Sequence, residues 1–259
     1  MPERVAPEVR ILANAEAAVP FLLDEIRRAI APRPAARGPA LVGFATGGTY
    51  TAMLKALGAE LDGKRIDPQS FVATHLDEYL GYPPERRGGM VHELGTNCPA
   101  LLAMLRAGTF FPVPHVDADS ALRAHDELLQ RAGGVKLQFL GIGRNGHLAF
   151  NEPGTPFDSG FHRTRLAETT REDARPRFAP EEPPREAVTS GLATILAADR
   201  LVLCAFGAAK AEAVTAMLRG EVSVACPASV LRQHRNVLVL LDRAAAQGLP
   251  LQQVAQGAG

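Results

Sequence analysis

Three residues suited to proton chemistry, Asn145, His147 and Glu152, fall within eight positions of one another in the stretch 139–153, FLGIGRNGHLAFNEP. An imidazole with a carboxylate nearby moves protons close to neutral pH. Glycines at 141, 143 and 146 let the backbone turn sharply and leave N–H groups free. The preceding run, 135–140, is apolar and strand-like, so these groups would stand at the exit of a buried strand. The bland alternative is a glycine turn carrying a satisfied surface histidine. Gly141, Gly143 and Gly146 also match G-x-G-x-x-G, but a dinucleotide site needs a helix directly after the third glycine. Here Pro153, Gly154 and Pro156 follow too soon.

Other strand exits carry reactive groups too. Thr46-Gly47-Gly48-Thr49 follows an apolar run and precedes a helical pattern. Its glycines permit close approach, its threonines donate, and a helix N-terminus favours an anion, so it reads as a phosphate cradle. The alternative is a helix N-cap with a glycine turn, and the G-K-[ST] ending of a Walker loop is absent. Lys210, after Gly207-Ala208-Ala209, is one of only four lysines and would supply a cation for the same phosphate; alone it would read as a surface lysine. Asp77-Glu78 offers a carboxylate base, or else a charged turn. Neighbouring residues in extended backbone face opposite ways, so one of the two would reach a pocket. His75, Asp77 and His147 lack metal-ligand spacing, and no metal is expected.

The elements that must position these groups alternate. Strands are expected at 40–45, 71–74, 135–140, 200–206 and 236–241. Helices are expected at 15–30 (ended by a proline-rich linker, 32–39), 49–61, 99–107, 120–131, 187–196, 209–218 and 229–233. Continuous apolar strands separated by helices imply an α/β fold: an open, doubly wound, mostly parallel sheet with helices on both faces, Rossmann-like, in a single domain. Ligands of such sheets bind beyond the carboxyl ends of the strands. The segment 171–185, rich in Pro, Arg and Glu, has no clear period. It reads as a surface loop or as a lid, the lid spanning about 160–186.

Composition sets outer limits. The 259 residues are 46% apolar, with acidic and basic residues balanced at 28 each, so no bulk field recruits nucleic acid or an anionic membrane. Three cysteines without ligand spacing suit a reducing cytosol, with Cys204 in an apolar run expected in the core. No leader-like or membrane-spanning run is visible. A cytoplasmic location is expected.

From about Leu41 to Asp242 the chain resembles the glucosamine-6-phosphate deaminase (isomerase) family, related to the 6-phosphogluconolactonases. FATGGT, THLDEYLGYP, GIGRNGHLAFNEPG, AVTSGLATIL and FGAAK occur in the family's order. Asn151-Glu152-Pro153 points to the deaminase branch. The resemblance implies conversion of an aldose 2-amino-2-deoxy-6-phosphate to a ketose 6-phosphate and ammonia, without metal or organic cofactor. It implies that His147 helps open the sugar ring, that Asp77 carries the C2 proton, and that Glu152 and Asn145 flank and orient His147. Thr46, Gly47, Gly48, Thr49, Lys210 and Arg177 would hold the phosphate. The implied partner is a small-molecule sugar phosphate; whether the chain forms a homo-oligomer stays open. Departures from the family pattern are Asn145 in place of a common Asp, Tyr50 in place of a proline, and Gly89-Met90 in place of a Ser-Tyr pair. Gly160–His162 looks inserted, and Ala167-Glu168 lacks the groups that bind an allosteric sugar phosphate. A related isomerase or lactonase, and a non-catalytic sugar-phosphate sensor, are the competing readings.

Overall fold

The computed structural model describes residues 6–31 and 38–250. Most of the expected linker at 32–39 therefore lies outside the described residues. Seven strands, β1 (Glu8–Leu12), β2 (Ala40–Phe44), β3 (Phe71–His75), β5 (Phe110–Phe111), β6 (Val135–Leu140), β9 (Arg200–Ala205) and β10 (Val237–Asp242), form one sheet. Its order is β1-β10-β9-β6-β2-β3-β5 and every pairing is parallel. The expected fold class holds. The strands are continuous apolar runs because helices cover both faces; β2, β3 and all but one residue of β10 are fully buried.

The chain builds outward from β2 in one direction through β3 and β5, then returns to lay β6 on the other flank. This reversal places the exits of β2 and β6 side by side, which is where open α/β sheets receive ligands. The α-helices are α1 (Ala15–Ile30), α2 (Thr51–Asp62), α3 (Met90–Asn97), α4 (Pro99–Arg106), α5 (Asp119–Arg131), α6 (Glu168–Phe178), α7 (Leu192–Leu196) and α8 (Ala211–Arg219), and the helix expected at 229–233 is a 3-10 helix, Pro227–Gln233. Helix α1 has the expected bounds and starts where the Asn14 side chain accepts from the Ala17 amide.

Four features depart from expectation. The span 187–196 is not one helix: it is strand β8 (Glu186–Thr189), a break at Ser190-Gly191, and the short α7. Gly191 packs so tightly on the Ser159 and Gly160 carbonyls that a Cβ there would lie 2.1–2.2 Å from them. Strand β8 instead pairs antiparallel with β4 (Asp77–Tyr79) and β7 (His162–Arg165) in a second, three-stranded sheet. The first half of 171–185 is helix α6, not loop. Helix α3, which the Gly88-Gly89 pair concealed, buries Met90, Val91, Leu94 and Gly95.

Tyr50 ties the sheet to the cradle. It is fully buried at the end of the one-turn helix Gly48–Tyr50, and its hydroxyl donates to the Leu140 carbonyl (2.8 Å) with the Val202 carbonyl at 3.2 Å. A proline there would give up this link between the exit of β2 and strands β6 and β9. Tyr50→Phe is expected to lower unfolding free energy by about 1–3 kcal/mol, the penalty of stranding a buried polar group; chemical denaturation of the two proteins checks this.

Candidate active site

The carboxyl ends of β2, β3, β6 and β9 open into one cavity of about 510 Å³. Its wall includes Thr46, Gly47, Gly48, Thr49, Asp77, His147, Arg177 and Lys210. Asn145 and Glu152 are not in that wall; they stand behind His147. Residues from separate parts of the sequence therefore meet at one sheet edge, together with His75, Met90, Arg144, Thr170 and Asp173.

In the cavity wall, Gly47 takes a positive φ of 94°, which glycine tolerates, and turns the chain from β2 into the Gly48–Tyr50 turn and then α2. The exit of β9 repeats the device: Gly207, at φ 89°, leads into the turn Ala208–Lys210 and then α8. Lys210 occupies in the second turn the place that Tyr50 occupies in the first. One position roots the fold, and the other presents an ammonium. Burial lowers the Lys210 pKa, with Asp173 opposing and Arg144 adding to the effect. Arg177 enters from α6, its guanidinium 2.9 Å from the Glu93 carboxylate.

The glycine loop after β6 shapes the surroundings of His147. Gly143 lies under the imidazole, and a Cβ there would meet ring atoms at 2.3–2.5 Å. Gly146, at φ 83°, reverses the chain, and its carbonyl accepts from the Ala228 amide. No helix follows Gly146, only turns and the Leu148–Asn151 bridge, so the geometry of a dinucleotide fingerprint is absent there. Ala149, in the cavity wall, holds a positive φ of 53°, uncommon for a residue with a Cβ.

His147 Nδ1 stands 3.5 Å from Glu152 Oε2. Asn145 bridges the pair, donating from Nδ2 to Glu152 Oε2 (2.8 Å) and accepting the His147 amide on Oδ1 (3.2 Å). On its other oxygen Glu152 accepts from the Thr170 hydroxyl (2.6 Å) and the Ala167 amide (3.1 Å). Burial raises the Glu152 pKa, but His147, Thr170 and Asn145 outweigh it and hold the carboxyl at about 2. Glu152 is therefore held ionised beside the Nδ1 side of the imidazole. Thr170 carries no motif of its own; only its contact with Glu152 across 18 residues reveals it.

Asp77 follows β3 after Leu76 and is 7% exposed. Burial pushes its carboxyl up to about 8; Glu78 and Glu93 reinforce the shift and Arg177 opposes it. Glu78 points the other way. Its carboxylate accepts from the Tyr79, Met90 and Val91 amides at 2.9–3.1 Å, capping the N-terminus of α3. It is thus a buried structural cap, not part of a surface turn. His75 accepts the Val113 amide on Nε2 (2.9 Å), and burial pushes its pKa down to about 3. Among the described residues no group of three or more His, Cys, Asp or Glu side chains is arranged to hold a metal.

Comparison with known proteins places this cavity in context. Residues 13–240 match the family model for glucosamine-6-phosphate isomerases and 6-phosphogluconolactonases. A glucosamine-6-phosphate deaminase of Bacillus velezensis is 39% identical over 212 residues, covering 81% of this chain and 88% of the relative. One from Streptomyces avermitilis is 36% identical over 254 residues, covering 94% and 93%. The solved structure of a monomeric glucosamine-6-phosphate deaminase superposes with a TM-score of 0.82 at 32% identity, covering 93% of this chain and 99% of that one. The 6-phosphogluconolactonase of Trypanosoma brucei shares the fold, with a TM-score of 0.73 at 18% identity over 94% of this chain and 99% of the other. The chain belongs to the glucosamine-6-phosphate isomerase/6-phosphogluconolactonase family.

Proposed function

We propose that this cavity converts an amino-sugar 6-phosphate, glucosamine 6-phosphate, to fructose 6-phosphate and ammonia. The observation that carries the reading is that one cavity gathers two kinds of group. A glycine turn with Lys210 and Arg177 suits an anion, and a buried carboxyl and an imidazole backed by a carboxylate suit proton transfer.

The 6-phosphate sits on the Thr46–Thr49 turn against Lys210 and Arg177, which fixes the sugar's reach. His147 moves a proton from the O1 hydroxyl to the ring oxygen and opens the pyranose. Asp77, as carboxylate, takes the C2 proton and returns it at C1, while a proton of the 2-ammonium group passes to O1. That transfer leaves a C=N bond at C2, and addition of water there releases ammonia and leaves the ketose. A hydrolytic step is therefore part of an isomerisation, and both class labels apply. Anchoring the anion converts an encounter of sugar and base into a positioned one, from which much of the rate of such reactions derives. A sensor would need the anion-binding groups alone; the Asn145–Glu152–Thr170 scaffold around His147 favours catalysis. We place the reaction in the cytoplasm, in keeping with three unpaired cysteines. Among the described residues no helix is long and apolar enough to cross a membrane. Ammonia release from a panel of hexosamine 6-phosphates tests the reading, and release from none of them would refute it.

Asp77→Asn keeps size and hydrogen bonding but removes the base, so kcat should fall about 10²-fold or more. Glu78→Gln should retain turnover but melt earlier, because an amide has one acceptor oxygen where the carboxylate uses both, for the Tyr79 amide and the two that cap α3.

Charge on Asp77 also links activity and stability to pH. Only the ionised form is a base, so kcat/KM of the free enzyme should rise with pH through about 8. The folded pKa lies above the unfolded value of about 3.9. The stabilisation that Asp77 provides is therefore complete below pH ~4 and is lost as pH rises through about 8. Asp77→Asn should accordingly gain on the wild type in thermal stability as pH rises from ~4 to ~8. An unchanging difference across that range would refute the assignment of a buried, neutral Asp77.

Lys210→Met should raise KM for the phosphorylated sugar and leave kcat less affected, since the anchor acts in ground and transition states alike. A normal KM would remove Lys210 from the phosphate site.

A further inference from the structure

Glu93 has no role in the reaction described above, yet it touches both halves of the phosphate site. It stands in the first turn of α3 with its side chain 17% exposed, behind the cavity wall. Its Oε1 accepts the Gly47 amide at 2.6 Å, and its Oε2 lies 2.9 Å from Arg177 Nη2. Gly47 belongs to the turn after β2, whereas Arg177 belongs to α6, and no backbone pairing joins the two elements. On the same side, Met90 Sδ receives the Thr46 hydroxyl at 3.1 Å and Arg177 Nη1 at 3.4 Å. The guanidinium is thus held by two α3 side chains that also hold the cradle.

We propose that Glu93 is a positioning residue, a carboxylate strut between the Gly47 amide and Arg177 that sets the guanidinium against the cradle before the substrate's phosphate arrives. Arg177 is long and 28% exposed. Unheld, it would sample many rotamers, and ordering it would fall on the binding step. A competing possibility is that Glu93 is an internal anion rivalling the phosphate. Its place outside the cavity wall argues against this; what it takes from the cradle is the Gly47 amide, which leaves the other donors of the turn to the phosphate. The strut has an electrostatic side effect: its negative charge is one of the influences holding the Asp77 carboxyl neutral.

The inference rests on the phosphate assignment made above, so the experiment separates the two. Calorimetric titration with inorganic phosphate and steady-state kinetics with glucosamine 6-phosphate are run on wild type, E93Q, E93D, R177M and the E93Q/R177M double variant. E93Q should weaken phosphate binding and raise KM about tenfold, the scale of losing one partly buried ion pair, with a smaller change in kcat. The double variant should lose less than the sum of the two single losses, since part of the strut's effect passes through Arg177. E93Q should also move the acidic limb of kcat/KM to lower pH, a change that loss of packing would not produce. E93D keeps the charge but cannot span both partners; it should raise KM and leave that limb in place, which maintains the test if E93Q does not fold. Equal or tighter phosphate binding by E93Q, or additive effects of E93Q and R177M, would overturn the strut. Normal phosphate binding by R177M would overturn the assignment of Arg177 and the strut with it. Loss of ammonia release in every protein, with the phosphate pattern as expected, would refute the reaction and leave the strut standing.

Discussion

Strands β2 and β6 run side by side in parallel register, Val42 opposite Leu137 and Gly43 opposite Gln138, and the site depends on that adjacency. A parallel sheet sends the carboxyl end of every strand to one edge. The reversal of build direction between these two strands keeps any crossover from covering the gap there. The cradle turn and the glycine–histidine loop therefore face each other although they lie far apart in sequence. Gly43 secures the fit from within: the Gln138 side chain crosses it so closely that a Cβ would stand 1.9 Å from Oε1. Tyr50 then closes the arrangement from the side.

Electrostatically, the cavity sets two carboxyls in opposite states. Glu152 is surrounded by donors and stays ionised, while Asp77 sits among anions in a buried setting and tends to neutrality. Carboxyls pushed apart in this way can hold different jobs at one pH, one orienting a neighbour and one exchanging a proton. Glu78 shows that burial alone does not decide the outcome. Three backbone amides oppose the desolvation that raises it, and it stops at about 6, although it adjoins Asp77 in sequence.

How much of this was legible in the sequence varied with the kind of signal. Buried parallel strands announce themselves as apolar runs, and 135–140 keeps its bounds as β6. Glycines that the backbone needs, Gly47, Gly146 and Gly207, flagged the turns that build the cavity. Short strands of the second sheet were invisible, because β4 and β7 have three and four residues and draw their pairing from distant β8. Helix α6 was hidden for a different reason: Pro176 and its many charges suppress any helical period, and tertiary contacts supply what propensity does not. Glu93 and Thr170 gave no local signal at all. Their significance lies in what faces them across space.

The apolar side chains fall into separate clusters, and that division has a kinetic consequence. Ala174 and Phe178 of α6 pack with Tyr79, Tyr82, Met90, Phe150, Leu166 and Ala187, a group distinct from the large core around the central sheet. Withdrawal of α6 from the cavity would unpack this small group and break the Arg144–Asp173 and Thr170–Glu152 contacts, while the seven-stranded sheet keeps its interior intact. The free energy of such an opening is that of a local unit and lies below that of global unfolding. Traffic through the mouth of the cavity can thus proceed without exposing the core, and amide protons of α6 would exchange with solvent well before those of β2, β6 and β9.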